Sequence, residues 1–128
     1  VSVRLLLIGL GGAVGSVLRY LLSGVVQSGA GAADFPIGTL AVNVLGCFVI
    51  GVLTELSESR GALDAEMRGL LVVGLLGGFT TFSTLANETL SAMRDRAMLV
   101  AAGNLVLSVV LGLLAVWLGR VLAHALWG

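Results

Sequence analysis

Charges are spaced so widely in this chain that they leave four uncharged stretches, at 5–18, 37–54, 69–87 and 97–119. The last three are 18, 19 and 23 residues long. About 20 apolar residues suffice for a helix to cross the hydrocarbon core of a bilayer. The first stretch ends at Arg19, but uncharged sequence resumes from 20 to 33. The pattern predicts an all-α, multi-pass membrane protein with the lipid bilayer as its solvent. Four transmembrane helices are expected over about 3–26, 37–55, 67–91 and 97–122, in a single domain spanning 1–128. The opening Val-Ser-Val-Arg and its apolar run resemble a signal peptide. Three further apolar segments follow it, so it reads as the first span.

Composition agrees. Only 11% of residues are charged, against roughly 25% in a soluble domain. There is no lysine, and seven Arg balance four Glu and three Asp. A nucleic-acid surface needs clustered positive charge, so nucleic acid is not an expected partner. Cys47 and His124 are each the only one of their type, which excludes an internal disulfide and a Cys/His metal cluster. Ser83 has no histidine close in sequence to serve as a base, and without lysine there is no Walker-type phosphate loop. An enzyme is not expected.

The connections fall near 27–36, 56–66 and 92–96. Asp34, just before Pro36, is placed to cap the second helix. Ser57, Glu58, Ser59, Arg60 and Asp64 mark the second connection as solvated, and Trp117 and Trp127 suit a membrane interface. Four spans put both termini on one face. Arg4, Arg60, Arg68 and Arg120 fall on that face, and Arg94 and Arg96, with Arg19 if it points that way, on the other. This near-balance gives no orientation by the positive-inside rule. Either the chain inserts both ways round, or seven charges are too few for the rule to act. A bundle this small has little interior for a polar pathway, so an oligomer is expected.

Polar side chains inside spans are costly, and they face a bundle interior, a partner or a water-filled cavity. Here they are Arg19, Asn43, Glu88 and Asn104. Gly11, Gly15 and Arg19 share one helix face, and the glycines either serve close helix packing or belong to a functional face. Arg19 either snorkels to an interface or draws anions into a vestibule. Thr39, Asn43 and Cys47 share a face of the second span, where Asn43 is either interhelical glue or a donor to an anion. The third span holds Gly77-Gly78-Phe79-Thr80-Thr81-Phe82-Ser83-Thr84 at mid-membrane. Glycine weakens a helix and hydroxyls compete for its carbonyls, so this helix is expected to break near its middle. Freed carbonyls suit Na⁺, and freed amides and hydroxyls, such as those of Thr81, Ser83 and Thr84, suit an anion. Asn104, Ser108 and Gly112 form a stripe on the fourth span. Such a stripe is either a packing seam or a set of groups that replace an ion's water without trapping it.

Gly11-Gly12-Ala13-Val14-Gly15-Ser16-Val17-Leu18-Arg19-Tyr20, Gly38-Thr39-Leu40-Ala41-Val42-Asn43-Val44-Leu45-Gly46 and the 77–84 segment together resemble the CrcB-type fluoride channels. The resemblance runs over about 5–122, and the 77–84 segment is its most specific part. It implies an antiparallel dual-topology homodimer in a bacterial or archaeal cytoplasmic (inner) membrane, with two fluoride pores. It further implies a structural Na⁺ at the dimer interface, held by the backbone carbonyls of Gly77 and Thr80 from both copies. Asn43, Phe82, Asn104 and Ser108 would line the fluoride path, with Arg19 and Glu88 as vestibule or pore charges. The positive edge of an aromatic ring attracts an anion without a full charge, which suits Phe82 to that role. Leu85 departs from the family pattern, in which many members carry a second phenylalanine. Asn104 stands where an aromatic is common, and Gly112 where a hydroxyl would fit.

The function expected is passive, fluoride-selective export. Two alternatives remain at this stage. One is a nonconducting or heteromeric subunit, suggested by Leu85. The other is a proton-coupled exporter like the small multidrug-resistance transporters, which needs a buried carboxylate in the first span. The first span here has Arg19 and no acid.

Overall fold

The computed structural model describes residues 2–31 and 34–128. Its architecture is four helices, α1 (Val3–Gly29), α2 (Ile37–Arg60), α3 (Ala65–Arg94) and α4 (Met98–Trp127), each long and apolar enough to cross a membrane. All run past the expected bounds by up to about a turn and a half. Charge marks where lipid ends, whereas a helix ends only where its backbone can be satisfied otherwise. α2 therefore carries Glu55, Ser57 and Glu58 as helical residues and stops at Gly61, whose left-handed φ of 58° closes the turn. There the Ala62 amide donates back to the Leu56 carbonyl and that of Gly61 to Ser57, which satisfies two end carbonyls.

The start of α2 differs from expectation. Its N-cap position is Pro36, which offers no side-chain cap, and Asp34 does not supply one. Gln27, near the end of α1, takes that part: its Oε1 accepts from the Gly38 amide at 3.0 Å and its Nε2 donates to the Phe35 carbonyl at 3.1 Å. One amide side chain thus fixes the corner between the first two helices.

α3 breaks where its composition says it should. Gly77–Phe79 is helical, Thr80 and Thr81 are extended, and helix resumes at Phe82–Arg94. Upstream, Gly69–Leu76 forms a π-helix, which the sequence does not foretell. The break lets the two halves of α3 serve different neighbours: the first packs on α1, the second on α4, while α2 also packs on α4. Gly11 and Gly15 are buried against the first half. A Cβ on Gly15 would collide with the Leu75 carbonyl and the Phe79 amide, so the packing role of these glycines is the one realised. Apolar side chains such as Leu10, Val25, Leu99 and Leu113 cover the outside, a surface that suits lipid and not water.

Candidate functional site

The break gathers most of the residues singled out from the sequence. A groove of about 420 Å³ between α2, the α3 break and α4 is lined by Asn43, Gly77, Thr80, Thr81, Phe82 and Ser108, with Cys47 and Leu85 among its apolar neighbours. Asn43 lies opposite the extended residues and clasps both backbone groups of one of them. Its Oδ1 accepts from the Thr81 amide at 2.9 Å, and its Nδ2 donates to the Thr81 carbonyl at 3.0 Å. A carboxamide carries two N–H donors, so one remains for the groove.

Hydroxyls hold the other edge. Thr81 Oγ1 accepts from the Thr84 amide at 3.2 Å, donates to Thr84 Oγ1 at 3.1 Å and lies 3.3 Å from Ser83 Oγ. Thr81 is thus the N-cap of the second half of α3. The Thr-Thr-Phe-Ser-Thr run folds this way because a capping hydroxyl offers the backbone an alternative to continuing the helix.

These diversions leave two carbonyls without their helical donors. In an unbroken helix the Thr81 amide would reach the Gly77 carbonyl, and it goes to Asn43 instead. The Thr84 amide would reach the Thr80 carbonyl, and it goes to Thr81 Oγ1. The Gly78 carbonyl has a substitute donor: Arg19 Nε at 3.0 Å, from α1. Arg19 is therefore seated on the break itself, near the middle of its own helix. A cation is favoured at the carbonyl end of the first half by the helix dipole.

Phe82 and Leu85 diverge. Phe82 is 79% exposed and stands out from the single chain, while Leu85 is 7% exposed and packed within it. Toward the loop face a second polar group follows. Thr39 Oγ1 donates to Glu88 Oε2 at 2.7 Å, and Asn104 Nδ2 donates to Thr89 Oγ1 at 3.1 Å. Thr89 Oγ1 in turn donates to the Leu85 carbonyl at 2.8 Å. Asn104 is 1% exposed. Its Oδ1, with Glu88 Oε1 and Ser108 Oγ, has no partner among the described residues. Three orphaned buried oxygens are unusual, and Asn104 and Ser108 lie one turn apart on α4. Glu88, the neighbour of Thr89 in the chain, also lines a cavity of about 500 Å³ with Asp34, Ser91 and Asp95.

The structure thus places Asn43, Thr81, Phe82 and Ser108 on one groove with Gly77 and Thr80. Glu88 and Asn104 lie farther along toward the loop face, and Arg19 lies outside the groove lining. Sequence reasoning did not assign Thr89 or Gln27. Thr89 had a weak signal, a hydroxyl four residues after Leu85, while Gln27 had none.

The family model described as CrcB-like protein, Camphor Resistance (CrcB), matches residues 6–120. Similar proteins include the fluoride-specific ion channel FluC of Opitutus terrae, 49% identical over 94% of this chain and 92% of its own. The fluoride-specific ion channel FluC of Methylobacillus flagellatus is 45% identical over 91% of each chain. The fluoride-specific ion channel FluC 1 of Methanosarcina acetivorans is 44% identical over 93% of this chain and 89% of its own.

Proposed function

The chain belongs to the CrcB-like protein family, and we propose from that premise that it is a fluoride-specific ion channel and not an enzyme. The observation that carries the reading is the groove at the α3 break. It offers an anion amide and hydroxyl groups, an aromatic ring and the amide end of a half-helix, with no carboxylate in its wall. Such groups replace part of an ion's hydration without the full charge that would hold it. Fluoride then leaves down its electrochemical gradient. One charge across 100 mV is worth about 2.3 kcal/mol, so an interior-negative cell needs no other energy source.

The pathway runs along Asn43, Thr81, Phe82, Ser83 and Thr84, then Ser108 and Asn104, toward Glu88. The free N–H of Asn43 and the edge of Phe82 meet the ion at the break. The orphaned oxygens of Asn104 and Ser108 suit water molecules that accompany it.

A second copy in antiparallel orientation covers the exposed Phe82 and closes the groove, giving two pores per homodimer. Dual insertion into a cytoplasmic (inner) membrane is supported by the low arginine bias between the faces: with Arg19 seated at the break, Arg4, Arg60, Arg68 and Arg120 stand against Arg94 and Arg96. A structural Na⁺ at the centre of that dimer would be held by the Gly77 and Thr80 carbonyls of both copies. Those two carbonyls fit the role because their helical donors are engaged elsewhere, and unwound backbone carbonyls are suited to Na⁺.

The test is efflux from liposomes holding only this purified chain, with valinomycin and K⁺ to clamp the voltage. The reading predicts rapid fluoride loss and no chloride loss. Folded protein that releases no fluoride would refute self-sufficient conduction and favour a heteromeric subunit that lacks the ring replaced by Leu85.

A further inference from the structure

A second groove, about 280 Å³, lies on the face that carries the termini and is lined by Thr54, Ser57, Glu58, Arg68 and Val72. Val72 is a wall of both grooves. Asn43, Cys47, Ile50, Thr54 and Ser57 follow one another at intervals of four, three, four and three residues, so a single face of α2 lines the pair. Arg68 and Val72 are one turn apart on α3. The two grooves therefore follow one another along the α2–α3 seam, with Arg68 at the outer end of the second.

Arg68 makes no ion pair among the described residues. The ion pairs on this face are Arg4 with Glu66, Arg120 with Glu55 and Glu58, and His124 with Glu55. Arg68 belongs to none of them. Its guanidinium donates to the neutral Ser57 hydroxyl across the groove, which fixes its position without cancelling its charge. Glu58, the carboxylate in the same wall, is turned toward Arg120 at 3.2 Å, which it shares with Glu55 at 4.0 Å. The cavity toward the loop face is lined by Asp34, Glu88 and Asp95 and by no arginine, whereas this groove sets Arg68 beside Glu58.

We infer that Arg68, held over the α2–α3 seam by Ser57, collects anions at the terminal-face mouth of the fluoride pathway. The inference rests on the channel reading above. A charge at a pore mouth raises the local concentration of the opposite ion, and salt screens the effect. Arg68 would thus raise the entry rate of fluoride without touching the selectivity set deeper in the groove. Ser57 is a positioning residue that acts through Arg68.

The experiment compares fluoride efflux for wild type, Arg68→Gln, Arg68→Lys and Ser57→Ala. It is run at about 0.01 M and about 1 M ionic strength, where the screening lengths are about 30 Å and about 3 Å, using an impermeant organic anion as added salt. At low ionic strength Arg68→Gln should lose about threefold in flux, the scale of a one-charge Coulomb effect in water near contact. The deficit should vanish at high ionic strength. Arg68→Lys should keep most of the flux, and Ser57→Ala should lose less than Arg68→Gln. Fluoride-over-chloride selectivity should stay unchanged throughout. Equal flux of Arg68→Gln and wild type at low ionic strength would overturn the inference while leaving the channel reading intact. A deficit that persists at high ionic strength would also overturn it, since a packing defect is not screened. A wild-type chain that passes no fluoride would remove both.

Discussion

The two halves of α3 meet their neighbours in opposite ways. The first half carries Gly74 and Gly78 and packs backbone to backbone against Gly11, Gly12 and Gly15 of α1. The second half is joined to α2 and α4 by side-chain hydrogen bonds from Thr39, Asn43 and Asn104 to Glu88, the Thr81 backbone and Thr89. Within a bilayer, lipid offers no hydrophobic drive for helices to associate, so either close backbone approach or polar contact must supply it. α3 uses close approach where nothing polar has to pass. It uses polar contact where the proposed ion path would need exposed amides and hydroxyls. The Thr80–Thr81 break marks the change from one to the other.

The contrast is broken most severely on the glycine side. Gly15→Leu should abolish folding, because the new side chain meets backbone atoms of Leu75 and Phe79 that cannot rotate away, and overpacking costs about 1–3 kcal/mol even where neighbours can shift. Gly12→Ala is the matched control. Its nearest neighbour would be the Gly74 carbonyl oxygen at 3.9 Å, an ordinary contact, so the monodisperse yield in detergent should match wild type. If both variants express alike, close approach does not hold α1 to α3.

On the polar side the largest effect belongs to Asn43→Leu. It leaves the Thr81 amide and carbonyl unpaired, at about 1–3 kcal/mol for each group, and thermal unfolding in detergent should register that loss. Fluoride flux should fall with it. Asn43→Asp keeps an acceptor for the Thr81 amide but sets a negative charge on the groove, so flux should fall with less loss of stability. Undiminished flux in this variant would remove Asn43 from the pathway. The smallest effect is that of Thr81→Ala, which deletes the cap of the second half for about 1 kcal/mol. A larger loss would mean that the hydroxyl does more than cap.

How much of this was legible in the sequence depends on how local the cause is. The four spans and the break follow from composition over a dozen residues, and Gly77-Gly78 with the Thr/Ser cluster identify the break without outside help. The π-helix at Gly69–Leu76 has no such mark, since an unbroken apolar run fits either helical period. Arg19 was left open between two outer locations. Its observed partner, the Gly78 carbonyl, lies 59 residues away, and a backbone acceptor on another helix carries no sequence signature. The corner at α2 failed for the same reason: Asp34 is the nearest capping type, but Gln27 reaches the amide first. Leu85 stands out in the sequence only as a departure from the family pattern. Only the phase of the resumed helix tells which side chain turns inward.

The account turns on the groove at the α3 break being the route of the ion, and Phe82→Ile tests it most directly. Phe82 is so exposed in the single chain that replacing it should cost the fold little. The measurement is fluoride efflux from liposomes containing the variant, alongside its elution position in detergent. The account predicts that flux is lost while the variant elutes as wild type does. Flux at the wild-type rate from that variant would contradict it, and the ion would have to cross elsewhere.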